Sequence, residues 1–112
     1  MNFDIEQIIL DNTKHIKNRE DREHSKMWLR AYYIISNETG IQLKDTVNYS
    51  YCFVKKGKLF GKIGVYSRTD GYVDYFRFGR KPVGFDIGSE DIFCSKNPIM
   101  LLEEREKFFR LF

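Results

Sequence analysis

Hydrophobic positions along the chain change their period twice. Over the first forty residues, Ile5, Ile8, Ile9 and Ile16 recur at helical spacing, interrupted at Asn12 and Thr13. A charged stretch from Asn18 to Lys26 follows, then a second apolar seam at Met27/Trp28, Ala31 and Ile34/Ile35. Side chains three and four residues apart share a helix face, so this spacing predicts helices over about 3–17 and 20–38, or one bent helix. Asn2 or Asp4 is placed to cap the first, where acidic side chains suit the positive end of the helix dipole. Gly40, the first glycine, stops the second as its C′ residue.

After residue 45 the period becomes two. Val47, Tyr49, Tyr51 and Phe53 alternate with polar or small residues, the pattern of a half-buried strand. Lys55-Lys56-Gly57-Lys58 reads as a turn, Leu59 to Arg68 as a second strand, and Arg68-Thr69-Asp70-Gly71 as a second turn. Asp-Gly suits a two-residue hairpin loop, which needs positive φ at both positions. Tyr72 to Arg80 is a third strand, and residues 82–96 form a loop with a short strand at 84–87 or 91–94. Asn97-Pro98 opens a last helix as N-cap and first helical residue, with Leu101/Leu102, Arg105, Phe108/Phe109 and Phe112 as its seam.

The expected fold is therefore a single α+β domain over residues 1–112. It has an N-terminal helical pair, a three- to four-stranded antiparallel β-meander, and a C-terminal helix packed on the sheet. The order of the second helix, three strands and last helix is similar to that of a double-stranded-RNA-binding domain. The last helix opens Lys96-Asn97-Pro98-Ile99-Met100, without the lysine cluster those domains aim at phosphates, so the order alone assigns no family.

Register then sorts the faces. If Thr69 opposes Tyr72, Val65 opposes Phe76 and Ile63 opposes Phe78, giving an apolar face. The other face carries Lys58, Phe60, Lys62, Tyr66, Arg68, Tyr75 and Arg77. In the first hairpin, a Lys56-Gly57 loop sets Val54 against Leu59 and puts Tyr49, Tyr51 and Phe53 on the basic face. A Lys56-to-Lys58 loop sets Tyr51 against Ile63 and puts them in the core, which hydrophobic matching favours.

Composition sharpens this picture. With 42% hydrophobic and 31% charged residues, the 112-residue chain builds a core, and disorder is disfavoured. No run approaches the roughly 18–20 apolar residues of a membrane span. Met1-Asn2-Phe3-Asp4 lacks the basic start of a signal peptide, so a cytoplasmic protein without a membrane partner is expected. The net charge of +3 hides an uneven distribution: residues 41–82 hold nine basic against three acidic side chains, a net of +6. Aromatic residues, 16% of the chain, crowd into residues 49–78 and the last five.

A sheet face that mixes rings and cations is the device of single-stranded nucleic-acid binders, where each stacked base contributes about 1–3 kcal/mol. The leading expectation is thus non-enzymatic binding of nucleic acid (single-stranded or RNA) or of a nucleic-acid-processing protein. Lys58, Lys62, Arg68, Arg77, Arg80 and Lys81 would contact phosphate or carboxylate, and Phe60, Tyr66 and Tyr75 would stack. The competing explanation is structural: helices cover this face, and lysine and arginine stems lie along them.

Catalysis finds less support. The glycines fit neither a P-loop nor a dinucleotide fingerprint, and no nucleophile elbow is present. A small metal-independent ribonuclease would use His24 with Glu20 or Glu23 opposite Lys62, Arg68 or Arg77. His24 adjoins the Met27/Trp28 seam, which instead suits a partly buried structural histidine. His15, His24, Cys52 and Cys94 lack the close ligand pairs of a zinc site, so no metal or cofactor is expected. The two cysteines, 42 positions apart, are expected to be reduced thiols; a disulfide depends on a distance that sequence does not supply.

A further alternative is a protein–protein inhibitor, such as an immunity protein or a phage-encoded antagonist of a host nuclease. Aromatic and arginine side chains dominate such interfaces, and the acidic loop from Asp86 to Asp91 would mimic phosphates. Phe108, Phe109, Leu111 and Phe112 either close the core or form a homodimer contact through the C-terminal helix.

Overall fold

A computed structural model describes residues 2–74, 83–84 and 89–111. Its elements are α1 (Asn2–Thr13), α2 (Arg19–Thr39), β1 (Tyr49–Val54), β2 (Ile63–Ser67), β3 (Tyr72–Asp74), β4 (Val83–Gly84), β5 (Ile92–Ser95) and α3 (Pro98–Arg110). The helical pair, antiparallel sheet and C-terminal helix of the sequence reading are all present. Of the two short strands weighed for residues 82–96, the one at 91–94 occurs as β5; β4 meets the other only at Gly84, and residues 85–87 lie outside the described residues.

The helices end where local hydrogen bonds replace the ladder. α1 stops at Thr13, earlier than expected, and the Thr13 hydroxyl donates back to Ile9 O at 2.7 Å. A turn follows, with Ile16 N–H donating to Thr13 O, so the helical pair is two helices and not one bent rod. Asn18 then caps α2, its side chain accepting from Asp21 N–H at 3.0 Å. Gly40 terminates α2 at φ 73°, donating its N–H to Ser36 O. Asn97 caps α3 by accepting from Ile99 and Met100 N–H, with Pro98 in the first turn.

The strands lie in the order β4-β3-β2-β1-β5, every neighbouring pair antiparallel. Tyr51 opposes Val65, and Phe53 opposes Ile63, two residues away from the alignment that the favoured loop gives. Val65 likewise opposes Asp74 instead of Phe76. Both shifts come from longer turns. Residues 55–62 link β1 to β2, and Arg68–Gly71 link β2 to β3, with Gly71 at φ 74° donating to Ser67 O. A shift of two keeps the side chains within the strands on their faces, so the predicted sorting of Tyr51, Phe53, Ile63, Val65 and Tyr66 survives. Phe76 and Phe78 lie outside the described residues.

Tyr51, Phe53, Ile63 and Val65 join Ile35 of α2 and Leu101 of α3 in one core. The opposite face is buried as well: Cys52, Val54, Tyr66, Val73 and Ile92 form a second cluster. α1 packs on α2 and is tied to it by a bidentate Arg30–Glu6 pair at 3.0 and 3.1 Å. Among the described residues, no helix is long and apolar enough to cross a membrane.

Candidate binding surface and a cross-strand thiol pair

The structure separates the residues that the strand period grouped. Lys58 is exposed in the β1–β2 loop, Lys62 is exposed just before β2, and Arg68 is exposed just after it. Backbone pairing continues through both ends, since Val54 N–H donates to Lys62 O and Arg68 N–H to Asn48 O. Lys62 and Arg68 therefore belong to the sheet face away from the helices, about 20 Å apart along the strand. Tyr75, Arg77, Arg80 and Lys81 lie outside the described residues, as does Asp86.

Two of the proposed stacking rings occupy different places. Tyr66 is 2% exposed and packs in the second cluster, because β2 is a central strand buried on both faces. Alternation assigns it correctly to the face of Lys62 and Arg68, but that face is covered there. Phe60 leaves the face altogether. Gly57 and Gly61, at φ 82° and 81°, break the extended geometry on either side of it. Phe60 meets Phe109 of α3 edge to face, with centroids 5.2 Å apart.

Several cations elsewhere on the molecule are neutralised by carboxylates. Lys26, Arg30, Lys56, Arg105, Lys107 and Arg110 each have a carboxylate within 4.0 Å. The pair of Arg105 with Glu38 is bidentate, at 2.8 and 3.0 Å. Among the described residues, Lys58, Lys62 and Arg68 have no such partner, and neither do the exposed Lys17, Arg19, Lys44 and Lys96; the first three are the ones that flank β2. Their charge is therefore available to an external anion.

No protein-family model, no curated protein and no solved structure matches this chain, so its own residues carry the functional reading.

Among the described residues the ribonuclease constellation is not assembled, and its Arg77 lies outside them. His24 is exposed, not partly buried, and lines a cleft of about 410 Å³ between α1 and α2 with Thr13, Trp28 and Tyr33. It lies eleven residues before Ile35, where α2 meets the core, hence about 16 Å up the helix axis. Lys62 and Arg68 belong to the opposite side of the sheet. Among the described residues, no group of three or more His, Cys, Asp or Glu is arranged to hold a metal ion.

The C-terminal aromatics divide their roles. Phe108 closes the core against Phe53 at 5.6 Å, whereas Phe109 and Leu111 are exposed. Apolar side chains are also exposed on the helical pair, at Ile8, Leu10, Met27, Trp28 and Ile34.

The two cysteines are the pairing that the sequence reading left undetermined. Cys52 of β1 stands directly opposite Cys94 of β5, and both are free thiols. Cys52 donates its S–H toward Cys94, and this contact together with burial holds the Cys52 thiol well above its ordinary range. Acceptance of that hydrogen bond lowers Cys94, helped by the Arg68 and Lys55 charges against its own partial burial.

Proposed function

We propose that this protein is a non-enzymatic nucleic-acid-binding protein that reads the phosphate backbone through the cations around β2. The observation that supports this reading is that Lys58, Lys62 and Arg68, at the two ends of β2 in the most basic third of the chain, are exposed with no carboxylate partner among the described residues. With Tyr66 buried and Phe60 held against Phe109, base stacking contributes little from the described surface. The mode is then electrostatic and tolerant of sequence.

Fluorescence anisotropy with labelled single-stranded and duplex RNA and DNA, over a salt series, tests it. Three phosphate contacts give a log–log salt slope of about −2 to −3. The variant carrying Lys58→Glu, Lys62→Glu and Arg68→Glu loses binding while keeping its circular dichroism spectrum. Unchanged affinity in that folded variant, or no binding by the parent at low salt, refutes the reading.

A second reading, a protein–protein inhibitor, draws on the exposed Met27, Trp28 and Ile34 of α2 together with Ile8 and Leu10 of α1. It predicts a stoichiometric complex that persists at salt concentrations where phosphate contacts dissolve and that Met27→Asp disrupts.

A further inference from the structure

We propose that Cys52 and Cys94 form a reversible cross-strand disulfide, with Cys94 as the sulfur that reacts first. The register makes them direct partners across β1 and β5. Three residues further along the same ladder, Lys55 N–H donates to Asp91 O at 2.6 Å. Hydrogen-bonded and non-hydrogen-bonded pairs alternate in an antiparallel ladder, so Cys52 and Cys94 occupy a non-hydrogen-bonded pair. Such pairs hold their Cα atoms about 4.5 Å apart, at the short end of the range that disulfides span. The bond therefore forms without moving either strand, and its tight geometry places it with the reducible disulfides rather than the permanent ones.

Access sets the order of events. Cys52 is fully buried, whereas Cys94 is partly exposed. Cys94 accepts a hydrogen bond from Cys52 and lies within the influence of Arg68 and Lys55, which favours its thiolate. The oxidant is a low-molecular-weight disulfide such as oxidised glutathione. The Cys94 thiolate attacks one of its sulfurs, the S–S bond breaks, and one small thiolate leaves with the bonding pair. Cys52 then gives up its proton and attacks the Cys94 sulfur of the mixed disulfide, expelling the second small thiolate. Two protein thiols are oxidised to one disulfide, and one small disulfide is reduced to two thiols. Excess thiol reverses both steps. The closed bond ties β5, and the Asn97 cap just beyond it, covalently to β1.

The test titrates the folded full-length chain with oxidised glutathione, quenches with iodoacetamide in denaturant so that every remaining thiol is alkylated, and reads mass and linked peptides. The expected product is a monomer about 2 Da lighter, with both thiols protected together, a Cys52–Cys94 peptide, and full recovery with dithiothreitol. Cys52→Ser takes up one glutathione on Cys94, and Cys94→Ser stays unmodified until denaturant is added. The proposal is overturned if both thiols of the oxidant-treated parent are still alkylated once denaturant exposes them, or if the only disulfides link separate chains. The assignment of Cys94 as first reactant is overturned if Cys94→Ser captures glutathione as fast as Cys52→Ser. The parent chain decides the first question even if a variant fails to fold.

Discussion

Gly61 sits where the β1–β2 loop meets the C-terminal helix, and an alanine there meets two separate obstacles. Its φ of +81° lies in the left-handed region, which costs an L-residue about 1–2 kcal/mol. The added methyl would also fall against Phe109 Cζ and lie 2.6 Å from Phe109 Cε1, so the ring must move. That ring is the one that Phe60 meets edge to face and that Arg105 lies over at 5.9 Å. Gly57, at φ +82°, shares the backbone demand but has nothing within 4 Å of its added methyl. The two positions thus separate strain from steric conflict.

The magnitudes follow. Gly57→Ala pays the strain and recovers about 0.4–1 kcal/mol by stiffening the unfolded chain, a net loss near 1 kcal/mol. Gly61→Ala adds the loss of the ring pair, about 0.5–1.5 kcal/mol, and of the cation–ring contact, about 0.5–1 kcal/mol. Its total is about 2–3 kcal/mol, a large share of a small domain's stability. Urea unfolding followed by circular dichroism measures both variants, and Gly61→Ala should lower the midpoint about twice as far or more. In a Phe109→Ala background, Gly61→Ala should cost no more than Gly57→Ala. Equal costs in the parent background, or an undiminished cost without Phe109, would refute the argument.

Two further outcomes follow from burial and hydrogen bonding. Tyr66→Ala should destabilise by roughly 3–4 kcal/mol in thermal melts, while the folded fraction keeps its nucleic-acid affinity; a stacking Tyr66 would give the reverse. Asp45 accepts from the backbone N–H groups of Asn48 and Val47 and from the Asn48 side chain, and the Asn48 bonds chiefly hold its carboxyl below the usual range. Its contribution to the 45–48 turn is fully present above the unfolded carboxyl pKa of about 3.9, and is lost as pH falls through the lower folded value. A carboxyl titration by NMR should therefore show a midpoint below that of a free aspartate.

How far the sequence is legible depends on how local each determinant is. Gly40, Asn97 and Pro98 act through bonds within a few residues of themselves, and each holds the position that its chemistry predicts. The strand faces are also local, which is why two register shifts of two residues leave them intact. What covers a face is not local. Alternation groups Tyr66 with Lys62 and Arg68 but is silent on the packing that buries the ring. Phe60 escapes alternation because positive φ on both sides takes it out of the strand. His24 follows the seam spacing, yet α2 runs 21 residues, about 31 Å, while the six-residue β1 spans about 20 Å. The N-terminal half of α2 consequently outruns the sheet and meets α1. The thiol pair needs the β1–β5 register, which closes only after 41 intervening residues and a return across the sheet.

Arg68 links the two proposals, because it belongs both to the cations without carboxylate partners and to the surroundings of Cys94. After the hydrogen bond from Cys52, it is one of two cations that favour the Cys94 thiolate. A phosphate bound at Arg68 neutralises that support, so nucleic acid at low salt should slow the reaction of Cys94 with oxidised glutathione. Arg68→Gln should slow it roughly two- to threefold at neutral pH with no nucleic acid present, since thiolate fraction and nucleophilicity partly offset. Lys58→Glu provides the contrast: Lys58 adjoins the same surface but is not among the charges acting on Cys94. That variant should weaken nucleic-acid binding and leave the thiol rate unchanged. Rates followed by quenched alkylation give the answer directly. If Arg68→Gln and Lys58→Glu change the thiol rate equally, the effect is one of overall charge, and the coupling through Arg68 is wrong.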